Sequence, residues 1–256
     1  MAAPAFGPLS ALFRDTDRPC ATQAEVAWYA QHLATGALAL DAMCGWGRLL
    51  APLAARGCKV HGVDASAAML ARCDTNAATA VTHAAADAAT PATTFRQDIV
   101  DLNLPFRYAH AFIADGAFQL LTDPSLAAAA LARIRAHLVA PGVLYVACRV
   151  PPVSVQRLGA PLVEVRTVQV ADGTRITLRS ESTWTEDAHM ANAAHRYSHR
   201  RGAQPLGEEH ERIASTWYSP EEGVALVQAA GFADVAVEPG PESTDEGESF
   251  VLVARG

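Results

Sequence analysis

The stretch ALALDAMCGWGR at residues 37–48, followed by VHGVDAS at residues 60–66, decides how this chain is read. An apolar run that stops at Gly45-Trp46-Gly47 describes a buried strand feeding a loop whose backbone comes close to a ligand, because glycine carries no side chain and tolerates positive φ. The loop then passes into a helix. The second apolar run ends in Asp64, and a carboxylate at the tip of a neighbouring parallel strand is placed to accept the two ribose hydroxyls of a nucleoside. Together the two segments describe an adenosine pocket.

The glycines narrow the choice of ligand. A dinucleotide fingerprint needs a third glycine where this chain has Leu50, and a Walker loop needs a Gly-Lys-Ser/Thr run, whereas the only lysine is Lys59. What remains resembles motif I of the class I S-adenosylmethionine-dependent methyltransferases, in a variant where Met43 stands at a position that is usually glycine and Cys44-Gly45-Trp46-Gly47-Arg48 follows. The departure at Met43 affects only the close backbone contact there.

The resemblance implies a set of roles toward S-adenosylmethionine, with S-adenosylhomocysteine as product. Met43, Cys44, Gly45 and Gly47 form the loop under the methionyl and ribose parts, and Asp41 orients the methionyl amine. Asp64 takes the ribose. Gln97, Asp98 and Ile99 lie at the adenine edge, while Ala65 and Met69 pack on the ring, although Met69 serves equally well as plain core. Asp115, Gly116, Phe118 and Gln119 fall where the family's fourth motif brings methyl and acceptor together, Phe118 being core in the blander reading. Arg14 and Tyr29 close over the methionyl carboxylate from the N-terminal side.

Composition sets outer limits. With 256 residues, half of them hydrophobic, the chain buries one large core or a core with a small appendage. A net charge of −7 argues against affinity for phosphate backbones, so a small-molecule acceptor is expected and a nucleic acid is not. No apolar stretch has the length to cross a bilayer, and residues 1–19 lack a basic start and a signal core, which reads as a cytoplasmic protein. Five scattered cysteines make no disulfide framework. Nothing in the sequence sets an oligomeric state.

The remaining pattern alternates. Helices are expected over 22–34 as a lid, 48–56 and 67–75, with strands over 37–43 and 59–63, and the alanine-rich run 76–92 either extends a helix or connects over the surface. Strands ending in Asp98 and Asp115 follow, then a helix over 124–138 ended by Pro141-Gly142, and a strand over 143–148. Asp41, Asp64, Asp98 and Asp115 thus stand at four strand ends facing one crevice. The expected fold is α/β: a Rossmann-like, mostly parallel seven-stranded sheet with helices on both faces, plus an antiparallel β insert over the active site.

The insert comprises strands over 163–170, 175–184, 191–199 and 211–218, so residues 1–152 and 219–256 form the cofactor-binding core and 153–218 the substrate-covering subdomain. Ser219-Pro220-Glu221-Glu222 is a capping box opening a helix to 231, and strands over 233–237 and 249–254, joined by an acidic loop over 238–248, close the chain. Within the insert His195 and Tyr197 are the catalytic candidates, for acceptor contact or proton removal, since histidine is the side chain whose ordinary titration suits a base near neutrality. His195 and His199 lie about 13 Å apart along a strand, so no shared metal is expected. Trp184, Trp217 and Tyr218 either wall an acceptor or are buried. The expected activity is methyl transfer to N, O or S of a small molecule. The rivals are a nicotinamide-dependent oxidoreductase and a noncatalytic nucleoside-binding protein.

Overall fold

A computed structural model describes residues 6–83, 90–241 and 248–256. The N-terminal five residues of the leader reading, residues 84–89 of the alanine-rich run and 242–247 of the acidic loop lie outside them. In chain order the elements are α1 (Pro8–Asp17), α2 (Gln23–His32), β1 (Leu38–Ala42), α3 (Leu50–Ala55), β2 (Lys59–Asp64), α4 (Ala67–His83), β3 (Thr93–Arg96) and β4 (Tyr108–Ile113). Then come α5 (Pro124–His137), β5 (Leu138–Val150), α6 (Val153–Gln156), β6 (Leu162–Gln169), β7 (Arg175–Thr185), β8 (Met190–Arg201), β9 (Gln204–Thr216), α7 (Pro220–Ala229), β10 (Asp234–Pro239) and β11 (Glu248–Arg255).

The main sheet runs β10-β11-β5-β4-β1-β2-β3, with β1 to β5 parallel and β11 antiparallel to both its neighbours. It is apolar on both faces, as a sheet covered by helices must be. Leu40 and Ala42 of β1 face the layer that contains α5 and α7, whereas Ala39 faces the layer of α2, α3 and α4. The chain steps outward from β1 through β2 to β3, then returns to the other side of β1 for β4. That reversal opens a crevice beyond the carboxyl ends of β1, β2 and β4, where this architecture binds ligands.

Local chemistry starts the helices. The Thr22 hydroxyl accepts from Glu25 N at 3.1 Å to cap α2, Asp123 caps α5 ahead of Pro124, and the Ser219/Glu222 capping box is complete. Several boundaries differ from expectation. Helix α4 continues to His83, eight residues past 75, because the alanine run favours helix. Strand β5 begins at Leu138, where α5 stops, so Pro141 and Gly142 lie within its span rather than before it. Strand β9 begins at Gln204, well ahead of 211, paired to β8 along its length. Helix α1 has no counterpart in the sequence reading.

The second sheet, β6-β7-β8-β9, is antiparallel throughout. Residues two apart on a strand share a face, and the registers stack five cross-strand rows on the face turned to the main sheet. They are Val168–Ile176–His199, Arg166–Leu178–Tyr197, Glu164–Ser180–His195–Glu211, Leu162–Ser182–Ala193–Ile213 and Trp184–Ala191–Ser215. Helix α1 seals the first rows, with Phe13 packed among Val168, Ile176, Leu178 and Tyr197. Its N-terminal amides are capped from across the molecule: Glu209 accepts from Leu9 N at 2.9 Å and Ser10 N at 3.1 Å. A side chain at Gly7 would collide with that carboxylate, 2.5 Å from an ideal Cβ. The opposite face of α1 is tied to α4, where Asp15 pairs with Arg72 and accepts from Asn76 Nδ2 at 2.7 Å.

Helix α2, expected as a lid, is instead part of the core layer. Its inward residues Val26 and Tyr29 pack under the main sheet, Tyr29 against Phe112 at a ring separation of 5.1 Å. The segment over the crevice is α1. Among the described residues no helix is long and apolar enough to cross a membrane.

Candidate active site

A cavity of about 310 Å³ occupies the crevice between the two sheets. Its floor is the loop after β1. Met43, Gly45 and Gly47 all adopt positive φ, at 62°, 55° and 79°. Gly47 needs this freedom and its lack of a side chain, since a Cβ there would lie 2.7 Å from Cys73 Sγ; above Gly45 the space is open. Met43 takes the left-handed conformation without being glycine, as does Asp115 at φ 56° on the same cavity. Backbone held so is a mark of sites that work.

Two carboxylates face this floor. Asp64 Oδ2 accepts from Gly45 N at 2.9 Å and Oδ1 from Ser66 N at 2.8 Å, so the tip of β2 fixes the glycine loop in place. Burial raises the Asp64 carboxyl above its usual range, opposed by those amides. Asp41 is buried more deeply. Burial holds it well above the usual aspartate range against the pull of Arg48, and its Oδ2 accepts no hydrogen bond among the described residues. A buried acceptor left open toward a cavity fits a ligand that brings a cationic donor.

Arginines surround the third acid. Asp115 is paired with Arg149, with Arg18 at 3.3 Å and with Arg48 at 3.6 Å. Arg48 is itself locked in a buried fork on Glu25 of α2, at 2.6 Å for both bonds. The fork holds the segment between the glycine loop and α3 against the α2 layer. Trp46, between the two glycines, donates from Nε1 to Arg18 O at 2.9 Å, which ties the loop to the end of α1.

The wall contributed by the second sheet carries a buried polar cluster. Glu211 receives four partners: His195 Nδ1 at 3.2 Å, Tyr197 Oη at 3.2 Å, Ser10 Oγ at 3.0 Å and Arg14 at 3.3 Å. Burial alone would raise the Glu211 carboxyl, but the His195 hydrogen bond, the Arg14 charge and the Ser10 hydrogen bond outweigh it and hold it below the usual value. Nδ1 of His195 faces the Glu211 carboxylate, a partner that favours a proton on that nitrogen and leaves Nε2 as the ring's other nitrogen. Tyr197 is fully buried, and burial pushes its phenol up to about 12. It stays protonated and orients Glu211, which argues against it as a base.

The expected residues divide on inspection. Arg14, Asp41, Met43, Cys44, Gly45, Asp64, Met69, Asp115, Gly116, His195 and Tyr197 line the main cavity. Ala65, Gln97, Asp98 and Ile99 line a small adjoining one, which shares Met43 and Asp64 with it. Of the four acids, Asp41, Asp64 and Asp115 line the main cavity, and Asp98, two residues past the end of β3, lines the adjoining one. Gly47 lies beneath the floor, packed on Cys73. The Cys44 sulfur lies by Gly62 and donates to Gly45 O at 3.9 Å. The Gln97 amide is engaged with the Asn103 backbone.

Tyr29 and Phe118 are corrections. Tyr29 sits in the α2 layer, outside the cavity lining, because its ring completes the packing on Phe112. Phe118 is core, next to Tyr218 at 6.2 Å, and the residue beside it, Gln119, clamps the backbone of Arg149 and Thr216 instead of facing the cavity. Arg14 pairs with Glu211 on the wall contributed by the second sheet. Sequence reading missed Glu211, Ser10, Arg18 and Arg149, and gave no role to Arg48 at the end of the glycine motif. The one available signal was Pro8 at a first helical position with Leu9, Leu12 and Phe13 at helical spacing.

Residues 39–142 match the family model described as a methyltransferase domain. No curated relative matches the chain in sequence. Among solved structures, a S-adenosylmethionine-dependent methyltransferase from Clostridium acetobutylicum superposes with a TM-score of 0.72 at 13% identity, over 95% of this chain and 96% of that one. The sugar N-methyltransferase KedS8 from Streptoalloteichus gives 0.70 at 20% identity, over 95% and 91%. CalS10, an amino pentose methyltransferase from Micromonospora echinaspora solved with S-adenosylmethionine bound, gives 0.68 at 22% identity, over 96% and 97%.

Proposed function

We infer that this chain, a methyltransferase by the domain it carries over residues 39–142 and by its fold, moves a methyl group from S-adenosylmethionine to the nitrogen of a small amine-bearing acceptor of the amino-sugar kind. The observation that carries the acceptor side is the His195–Glu211 pair, set in the same cavity as the glycine loop. An amine in water is largely an ammonium ion without a lone pair, so a positioned base is of direct use. The amino pentose and sugar N-methyltransferases of the same fold support nitrogen over oxygen or sulfur.

When bound, S-adenosylmethionine supplies an electrophilic methyl group on its sulfonium. Asp41 receives the methionyl ammonium on its open Oδ2, Asp64 takes the ribose with the lone pairs its amide partners leave, and Asp98 with the Ile99 backbone reads the adenine from the small cavity. His195 Nε2 takes the acceptor's proton, while Glu211 steadies the imidazolium that results. Helix α1 and the second sheet exclude water. In this reading residues 153–218 serve as the acceptor-side unit on a core of 1–152 and 219–256.

Mass spectrometry on a panel of amino sugars and their hydroxyl counterparts tests the reading. One methyl increment is expected on the amines. His195→Ala should reduce kcat by roughly 10²–10⁴ while S-adenosylhomocysteine affinity stays within about twofold, since that change is far below one hydrogen bond. Equal methylation of the hydroxyl counterparts, or full activity in His195→Ala, would overturn it.

A further inference from the structure

The inner face of the second sheet continues past His195. Helix α1 closes the rows on one side of it, whereas the rows on the other side, from Leu162 and Ala193 to Trp184 and Ser215, stand over a second cavity of about 670 Å³. The two cavities meet at Asp115, Gly116, Leu120 and Ile213. The far wall is the end of β5, Arg149 and Val150, with Pro151 and Pro152 after it. A molecule with its reacting atom beside His195 therefore extends into this space without crossing an element.

The lining has a definite chemistry. Trp184 is half-buried and faces Ala191 across the strands, a residue too small to cover an indole. Ser182 and Ser215, on the inner-face rows, bring hydroxyl groups. Arg149 is the one cation of the described lining and is already paired with Asp115, which Arg18 and Arg48 also approach, while Glu164 adds a second carboxylate, so the lining offers an anionic occupant little. A flat apolar wall ringed by neutral donors and acceptors suits an uncharged ring with one apolar face.

We propose that this second cavity is a distal acceptor subsite, which holds an uncharged ring attached to the group methylated beside His195. The proposal rests on the amine-acceptor reading. It predicts that the natural acceptor is an extended conjugate rather than a bare monosaccharide.

Methyl and para-nitrophenyl β-glucosaminides, and the glucosyl conjugate of the same amino sugar, provide the test in the presence of the full-length protein. Wild type should favour the ring-bearing probes by roughly tenfold in kcat/KM, through KM, as expected for burying one ring. The para-nitrophenyl and glucosyl arms distinguish an aromatic from a sugar occupant. Ala191→Trp, which fills the cavity four residues from His195, and Trp184→Ala, which removes its wall, should both bring the ratio to within about twofold of one. S-adenosylhomocysteine binding reports that each variant is folded. A wild-type ratio near one, or a ratio unmoved in both folded variants, overturns the subsite and leaves the amine reading standing. If only hydroxyl counterparts are methylated, the amine reading fails, and the same ratio measured on those counterparts decides the subsite. Failure of every probe to bind the S-adenosylhomocysteine complex overturns both.

Discussion

Asp41 shows how one residue divides stability from function. Its carboxyl is buried and raised well above the usual range, so the folded chain binds its proton more tightly than the unfolded chain does. The stability this confers is complete below the ordinary aspartate value of 3.8 and is lost as pH rises through the raised value. Asp41→Asn removes that penalty. At neutral pH the variant should melt higher by calorimetry without ligand, yet bind S-adenosylhomocysteine at least about tenfold more weakly, the worth of one charge-assisted bond. In wild type the affinity should fall as pH falls through the same window, because a protonated Asp41 no longer opposes the methionyl ammonium. Asp64 behaves differently, since its oxygens also hold the loop. Asp64→Ala should cost roughly 1.5–3 kcal/mol in S-adenosylhomocysteine binding, and Asp64→Asn less, because one amide keeps its acceptor. Calorimetric titration that ranks the two equal would mean the lost charge alone decides the affinity. These acids were legible because a strand, a glycine turn and a carboxylate lie within a few residues of one another. Glu211 was not, for its partners Ser10 and Arg14 are about 200 residues away in the chain.

Among elements, α2 was read to within two residues at each end and wrongly in purpose. Thr22 and the apolar spacing mark a helix, but spacing alone does not say which layer it joins, and burial of Val26 and Tyr29 draws it under the sheet. What α2 gives the site is Glu25, whose fork on Arg48 holds the segment leading into α3. Breaking one side of a buried pair strands the other charge. Glu25→Gln should therefore lower stability by about 3–5 kcal/mol in chemical denaturation, with some relief from Asp115 at 3.6 Å. Replacing both partners by apolar residues of similar size should recover much of that loss while loosening the loop and weakening S-adenosylhomocysteine binding. A double variant no more stable than the single one would count against stranded charge as the cause. Helix α1 escaped the sequence reading for a related reason: its anchors, Glu209, Arg72 and Arg166, all lie on other elements.

At the scale of the whole molecule, the parallel sheet was foreseeable from alternating apolar runs and helices, and the antiparallel sheet from polar alternation between turn signals. How the two sheets meet was not, because α1 makes the junction. It is tied to the main-sheet layer through Asp15 and to the second sheet through Glu209, Glu211 and the Asp17–Arg166 pair. The cavity lies between these attachments, with Phe6, Arg14 and Arg18 on one side and Gly45, Asp41 and Asp64 on the other. A ligand filling it adds contacts across the junction and none within the distant layer of α5 and α7. Amide exchange should therefore slow on addition of S-adenosylhomocysteine in α1 and in the loop after β1, while α5 and α7 change little, because local opening that exposes the cavity becomes costly once the ligand is bound. Saturation at a hundredfold the dissociation constant corresponds to about 2.7 kcal/mol, so protection at α1 should rise by up to roughly a hundredfold if its opening releases the ligand. Glu209→Gln, which weakens the cap on α1, should raise exchange there in the free protein and enlarge the response to ligand. Unchanged exchange at α1, alongside slowed exchange in the glycine loop, would show that the ligand enters and leaves without moving this helix.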